Sequence, residues 1–231
     1  MTATASEQKS PRSLTILARA VSVGFHPLLV LTYMLLMQLV VNPYQFGVSS
    51  MAAQWKFVLL VFLSTFGMPA LAVVLMRALG MVASMELSTR HERIGPYLIA
   101  GVFYLWMYIN FRQNGTIPQA FTTATLGATI ALFVLFFLNN FTKVSAHAAA
   151  MGGWTAMAVI NARHFRFETF LVDVGAWGAL EVSTNGVVLL LVLLTGLVCT
   201  ARLYLSAHTD RQVYIGLATG FLSQFLALAF S

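Results

Sequence analysis

What most constrains this chain is a succession of apolar runs, each close to the length of a bilayer crossing, broken only by short polar junctions. A helix of about 20 apolar residues satisfies its own backbone hydrogen bonds, and hydrocarbon tolerates few alternatives. Hydrophobic residues fill 59% of the 231 positions and charged residues only 9%, too few to solvate a water-soluble fold. The sequence therefore predicts an all-α, polytopic membrane helix bundle of about seven spans (six to seven). Residues 1–26 read as a polar N-terminal tail and interfacial lead-in, and 27–231 as a single transmembrane helical domain. The run after the first dozen residues lacks a small-residue cleavage site, so it reads as retained rather than as a removed signal peptide.

Punctuation sets the expected spans. His26-Pro27 opens the first, about 27–42, and Asn42-Pro43 closes it. The second runs from about Phe57 to Leu79, with Trp55 and Lys56 as interface anchors and a kink at Pro69. Gly95-Pro96 precedes a third, about 97–111, and the turn Arg112–Pro118 leads into a fourth, about 119–138. A fifth ends near Ala162. Residues 167–182, only half apolar, read as an interfacial or partly buried connection before a sixth span at 184–205 and a seventh from about Val213.

Polar chemistry is confined to the junctions. The first cluster holds Glu86, Arg90, His91, Glu92 and Arg93, with the two arginines at helical spacing, able to clamp an anion or to pair within a solvated loop. The second is Asn139 to His147, where Ser145 suits a helix N-cap and His147 falls in the first turn beside an anion-favouring helix end. The third runs from Arg202 through His208 to Gln212, and Thr209-x-x-Gln212 also reads as a capping box. Two spans separate each cluster from the next, so an even count returns all of them to one membrane face. A shared polar pocket is the economical expectation.

These residues resemble the type-2 phosphatidic acid phosphatase and vanadium haloperoxidase superfamily over roughly residues 86–220. Ser145-Ala146-His147 is similar to the family's Pro-Ser-Gly-His motif, with Val144 and Ala146 in place of proline and glycine. Arg202, His208 and Gln212 resemble its third motif with the Arg-to-His interval kept and glutamine replacing the aspartate. Arg90, Arg93 and Pro96 supply the residue types of the first motif without its spacing. The resemblance implies that His208 attacks phosphorus and His147 protonates the leaving oxygen. It also implies that Arg93, Arg202 and Ser145 hold the phosphoryl oxygens, with Arg90 standing in for the family lysine and Gln212 orienting His208. No cofactor and no metal are called for on this reading.

The expected activity is hydrolysis of a lipid phosphate or diphosphate, with that substrate and membrane lipids as the partners. A non-catalytic protein binding anionic lipid headgroups is the alternative. A small transporter fits less well, because ionisable groups are scarce within the spans. The net charge of +6 requires no nucleic acid, since headgroups or a phosphorylated substrate account for it. Cys199, the only cysteine, excludes an intramolecular disulfide. The expected location is a bacterial inner (cytoplasmic) membrane. Lys9, Arg12, Arg19, Arg77 and Arg211 on the cluster side, against Lys56, Arg112, Arg163 and Arg166 opposite, lean towards a cytoplasmic pocket, whereas the resemblance implies one facing away from the cytosol.

Overall fold

A computed structural model describes residues 12–84, 87, 89–164, 168–173 and 178–231. Lys9, Glu86 and Arg166, named above, lie outside those residues, as does the polar tail at 1–11. The chain begins with α1 (Arg12–Gly24), which bends by 63° into α2 (Pro27–Val41). The break falls where the sequence demands it. Proline lacks the N–H that a continuing helix would need, and the His26 side chain caps α2 by accepting the Leu28 amide at 3.4 Å.

The second apolar run is one long unit. α3 (Trp55–Phe62) passes through a π-helical turn, Leu63–Gly67, into α4 (Met68–Ala78). Pro69, expected to kink this span, sits in the first turn of α4, and the π turn immediately before it absorbs the disrupted hydrogen bonding. Next come α5 (Ile94–Gln113) and α6 (Gln119–Asn139). Between them the Asn114 side chain accepts the Thr116 amide at 3.1 Å and hydroxyl at 2.8 Å, fixing the turn. The half-apolar connection forms an antiparallel hairpin, β1 (Thr169–Asp173) with β2 (Ala179–Ser183), pairing Leu171 with Glu181. The remaining helices are α7 (Ala146–His164), α8 (Thr184–Tyr204) and α9 (Asp210–Ala229).

Five helical units among the described residues are long and apolar enough to cross a membrane, and six if the bent α1–α2 pair counts as one span. The protein is thus an all-α integral membrane protein with a small β-hairpin. Six is the lower end of the expected six to seven; a seventh span is not shown, because α7 falls short in apolar character. Its sequence, AHAAAMGGWTAMAVINARH, is rich in alanine and glycine, and more than half of it is buried against other helices. It packs on α9, α8, α2 and α6. Close packing explains the composition: a Cβ at Gly152 would come within 2.5 Å of the Leu217 carbonyl oxygen, and one at Gly220 would collide with that of Ala149. Helices in lipid associate through such small-residue contacts and through interhelical hydrogen bonds. Thr32 and Thr65 pair at 3.2 Å and Thr155 and Thr195 at 2.9 Å, all buried. Around them Leu31, Leu35, Met107, Phe121, Met151 and Val198 form a close-packed apolar core.

Candidate functional site

The three polar junctions meet. Arg93, entering α5, donates through Nη1 to the Val144 carbonyl at 3.2 Å and through Nε to that of Leu87 at 2.8 Å. The Ser145 amide donates to the Gln212 carbonyl at 3.2 Å. The α4–α5, α6–α7 and α8–α9 connections are therefore joined by main-chain acceptors that only a short approach can satisfy. Lys143, Arg93 and Arg202 all bear electrostatically on His208, and Arg202, His26 and His208 on His147. Arg90 stands apart. Its Nη1 donates to the carbonyls of Asn140 and Phe141 at 3.1 and 2.9 Å, and its own carbonyl accepts from Asn139 at 2.8 Å. That makes it an exposed strut between two junctions, with Nη1 engaged by main-chain acceptors.

His208 lies between α8 and α9 and is only 7% exposed. Its Nδ1 is 3.1 Å from Gln212 Oε1, and the same oxygen accepts the Thr209 amide at 3.3 Å. An atom that accepts a backbone N–H is the amide oxygen, so His208 carries its proton on Nδ1 and presents a lone pair on Nε2. Capping and orientation are thus not alternatives for Gln212. One oxygen does both, and the reciprocal bond from its backbone to the Thr209 side chain completes the capping box. Burial, followed by the positive charges of Arg93, Arg202 and Lys143, pushes His208 down to about 4, against the opposing hydrogen bond to Gln212. The ring is neutral at pH 7. Lys143 is itself held below the usual lysine range by burial, Arg93 and Arg202.

His147 is in the first turn of α7, after Ser145, whose hydroxyl accepts the Ala148 amide at 3.3 Å and caps the helix. The His147 Nε2 lies 3.0 Å from the Ser22 carbonyl. A carbonyl can only accept, so that nitrogen bears the proton and Nδ1 is the free position. His26 meets His147 edge to face with ring centroids 5.8 Å apart. In the sequence His26 enters only as the residue before Pro27 at the opening of the first span. The signal available was the His-Pro pair at a predicted break, since a cap at a sharp bend is held in place. Tyr97, which faces the Arg93 guanidinium, gave no such signal inside its apolar run.

A cavity of about 440 Å³ opens beside this cluster, between α2, α4, α5 and the start of α7. Its polar lining is His26, Arg93, Tyr97 and His147, while Leu29, Phe66, Val73, Ala100 and Leu132 line the apolar remainder. Arg202 and His208 are not among the lining residues, so Arg93 and His147 face the cavity while Arg202 and His208 lie beside it in the same cluster. Arg202 Nε is buried with no hydrogen-bond partner. Among the described residues, the charges that act on His208 and His147 are those of Arg93, Arg202, Lys143 and the neighbouring histidines. Among the described residues no group of histidine, cysteine, aspartate and glutamate clusters in a way that could hold a metal ion. Comparison of the chain with protein-family models, with curated proteins and with solved structures finds no match.

Proposed function

We propose that this membrane protein hydrolyses a lipid phosphate or diphosphate through a histidine nucleophile. The carrying observation is the Nε of Arg202, buried with no hydrogen-bond partner among the described residues, beside the cations Arg93 and Lys143 that act with it on His208. A buried guanidinium N–H without an acceptor is costly, and a phosphate monoester matches the planar fork that carries it. The chemistry needs little beyond positioning and charge stabilisation. The His208 Nε2 lone pair attacks phosphorus and forms a P–N bond. The P–O bond to the lipid breaks, and the departing oxygen takes a proton from Nδ1 of a doubly protonated His147. Burial, then the charges of Arg202, His26 and His208, push His147 down to about 3, so its second proton arrives with a monoanionic phosphate, whose remaining charge stabilises the imidazolium. Water then attacks the phosphohistidine, gives its proton back to His147, and phosphate leaves with the electron pair of the P–N bond restored to His208.

Binding of anionic headgroups without turnover is the second reading. It is favoured by the amide at Gln212, which orients imidazole but does not stabilise imidazolium as a carboxylate would, and by the deep burial of His208. Phosphate release by purified protein across phosphatidate, phosphatidylglycerophosphate and polyprenyl diphosphate, compared with His208→Ala, separates the two. Hydrolysis predicts acid-labile, base-stable label on His208 after brief exposure to radiolabelled substrate. Full activity in His208→Ala would rule out the mechanism.

A further inference from the structure

We infer that His26 is a third histidine of the site, donating through Nε2 to the chain-side oxygens of a lipid phosphate whose hydrocarbon occupies the 440 Å³ cavity. The inference deepens the proposed function and rests on its reading of the cluster as a phosphate site. Three observations carry it. His26 Nδ1 accepts the Leu28 amide at 3.4 Å, and an amide N–H can only donate, so the imidazole proton sits on Nε2. The ring lines the cavity with Arg93 and His147 and lies 5.8 Å from the His147 ring, centroid to centroid. The rest of that lining is apolar, contributed by Leu29, Phe66, Val73, Ala100 and Leu132.

The geometry separates two subsites. Arg202 and His208, outside the cavity lining, would take the phosphoryl group, while His147 stands at the boundary where the leaving oxygen must be protonated. An oxygen one or two bonds further along the lipid would then lie on the cavity side of His147, where His26 offers a fixed N–H. The volume falls in the range of about 300–1,000 Å³ usual for small-molecule sites, and its mostly apolar lining matches a hydrocarbon occupant. Fixing His26 requires the 63° break between α1 and α2, which gives the bend a role in the site.

Because His26 also caps α2, the test must divide capping from binding. His26→Ser keeps a side-chain oxygen able to accept the Leu28 amide but cannot reach into the cavity. His26→Asn keeps both an acceptor and an N–H donor. Each variant in lipid nanodiscs is assayed for binding of a fluorescent-chain lipid phosphonate, which is not hydrolysed, and of inorganic phosphate, with melting temperature as a control. Expected results are that His26→Ser melts like wild type yet binds the phosphonate about tenfold to a hundredfold more weakly, that His26→Asn stays within threefold, and that inorganic phosphate is unaffected. Unchanged phosphonate affinity in His26→Ser, no phosphonate binding by wild type, or an equal loss for inorganic phosphate would each overturn the assignment. If the phosphonate binds in the expected pattern but no lipid phosphate is hydrolysed, the catalytic proposal fails and this one stands.

Discussion

Gln212→Asp puts a carboxylate, one methylene shorter than the amide whose oxygen lies 3.1 Å from His208 Nδ1, near the ring, and its effect can be worked out. In the wild type the imidazolium form of His208 is suppressed, with its pKa pushed down to about 4 by burial and by surrounding cations. Opposite unit charges about 4 Å apart interact by roughly 4 kcal/mol at an effective dielectric constant near 20. One pKa unit corresponds to about 1.36 kcal/mol, so the carboxylate raises His208 by up to about 3 units. Donation from the Thr209 amide and the charges of Arg93 and Lys143 stabilise the carboxylate and leave the imidazolium less of that energy. A rise of roughly 2 to 3 units, to about 6 or 7, is the expected result. The sign follows from which form reacts. The neutral ring is the nucleophile, so activity is lost as pH falls through this pKa, near pH 4 in the wild type and about pH 6 to 7 in the variant.

Histidine-selective nitrogen NMR of the protein in nanodiscs measures the titration whether or not the protein turns over, and the pH profile of phosphate release measures its consequence. Gln212→Leu provides the contrast. Thr209 is exposed, so water takes over its amide and the capping half loses less than about 1 kcal/mol. The buried Nδ1–H of His208 has no such replacement. Its orphaning costs about 1–3 kcal/mol and frees the ring to adopt the unreactive tautomer. If His208 titrates at the same pH in wild type and Gln212→Asp, the Oε1 contact does not govern the ring. The assignment of Nε2 as nucleophile then loses its basis.

Other substitutions probe the rest of the cluster. Arg202→Met removes a half-buried guanidinium whose Nε has no partner, so the ligand-free protein should lose no stability in thermal unfolding while lipid phosphonate affinity falls at least about tenfold. Arg90→Ala should remove about 1 kcal/mol of stability with its two carbonyl contacts and leave phosphonate affinity within about threefold, as a strut rather than a ligand would. Gly220→Ala drives a methyl group into the Ala149 carbonyl of the facing backbone, and loss of about 3 kcal/mol or failure to assemble is expected in a detergent-stability assay.

What the sequence made legible was whatever a single local rule decides. Pro27 starts α2, Asn114-Gly115 turns α5 into α6, and Thr209 starts α9, each by the conformational restriction or capping chemistry of that residue. The features that escaped depend on partners remote in sequence. The π turn before Pro69 is a repair of the helix ladder and leaves no residue signature of its own. The β1–β2 hairpin arises from a stretch whose alternation was too weak to separate from an irregular connection, and it is held by cross-strand pairing. α7 was legible as a helix but not as the centre of the bundle. Hydropathy scores a residue's affinity for lipid, and a helix surrounded by other helices meets little lipid.

That last point connects packing to chemistry. The residue types that lower the hydropathy of α7 also let α9 come close enough to bring Gln212 and His208 to Ser145 and His147. A Cβ at Gly216 would strike the Ser145 carbonyl, one residue before α7 begins, and the Ser145 amide is the group that reaches the Gln212 carbonyl at 3.2 Å. The backbone link between the second and third junctions therefore exists only because position 216 has no side chain. By spacing alone Gly216-x-x-x-Gly220 is a generic small-residue helix contact. In the fold they set the distance between the two histidines to which the proposed mechanism assigns nucleophile and acid. A larger residue at position 216 should separate those histidines before it unfolds the bundle. The separation would appear as a rise in the His208 titration towards its ordinary value, as burial is relieved and Arg202 and Arg93 recede.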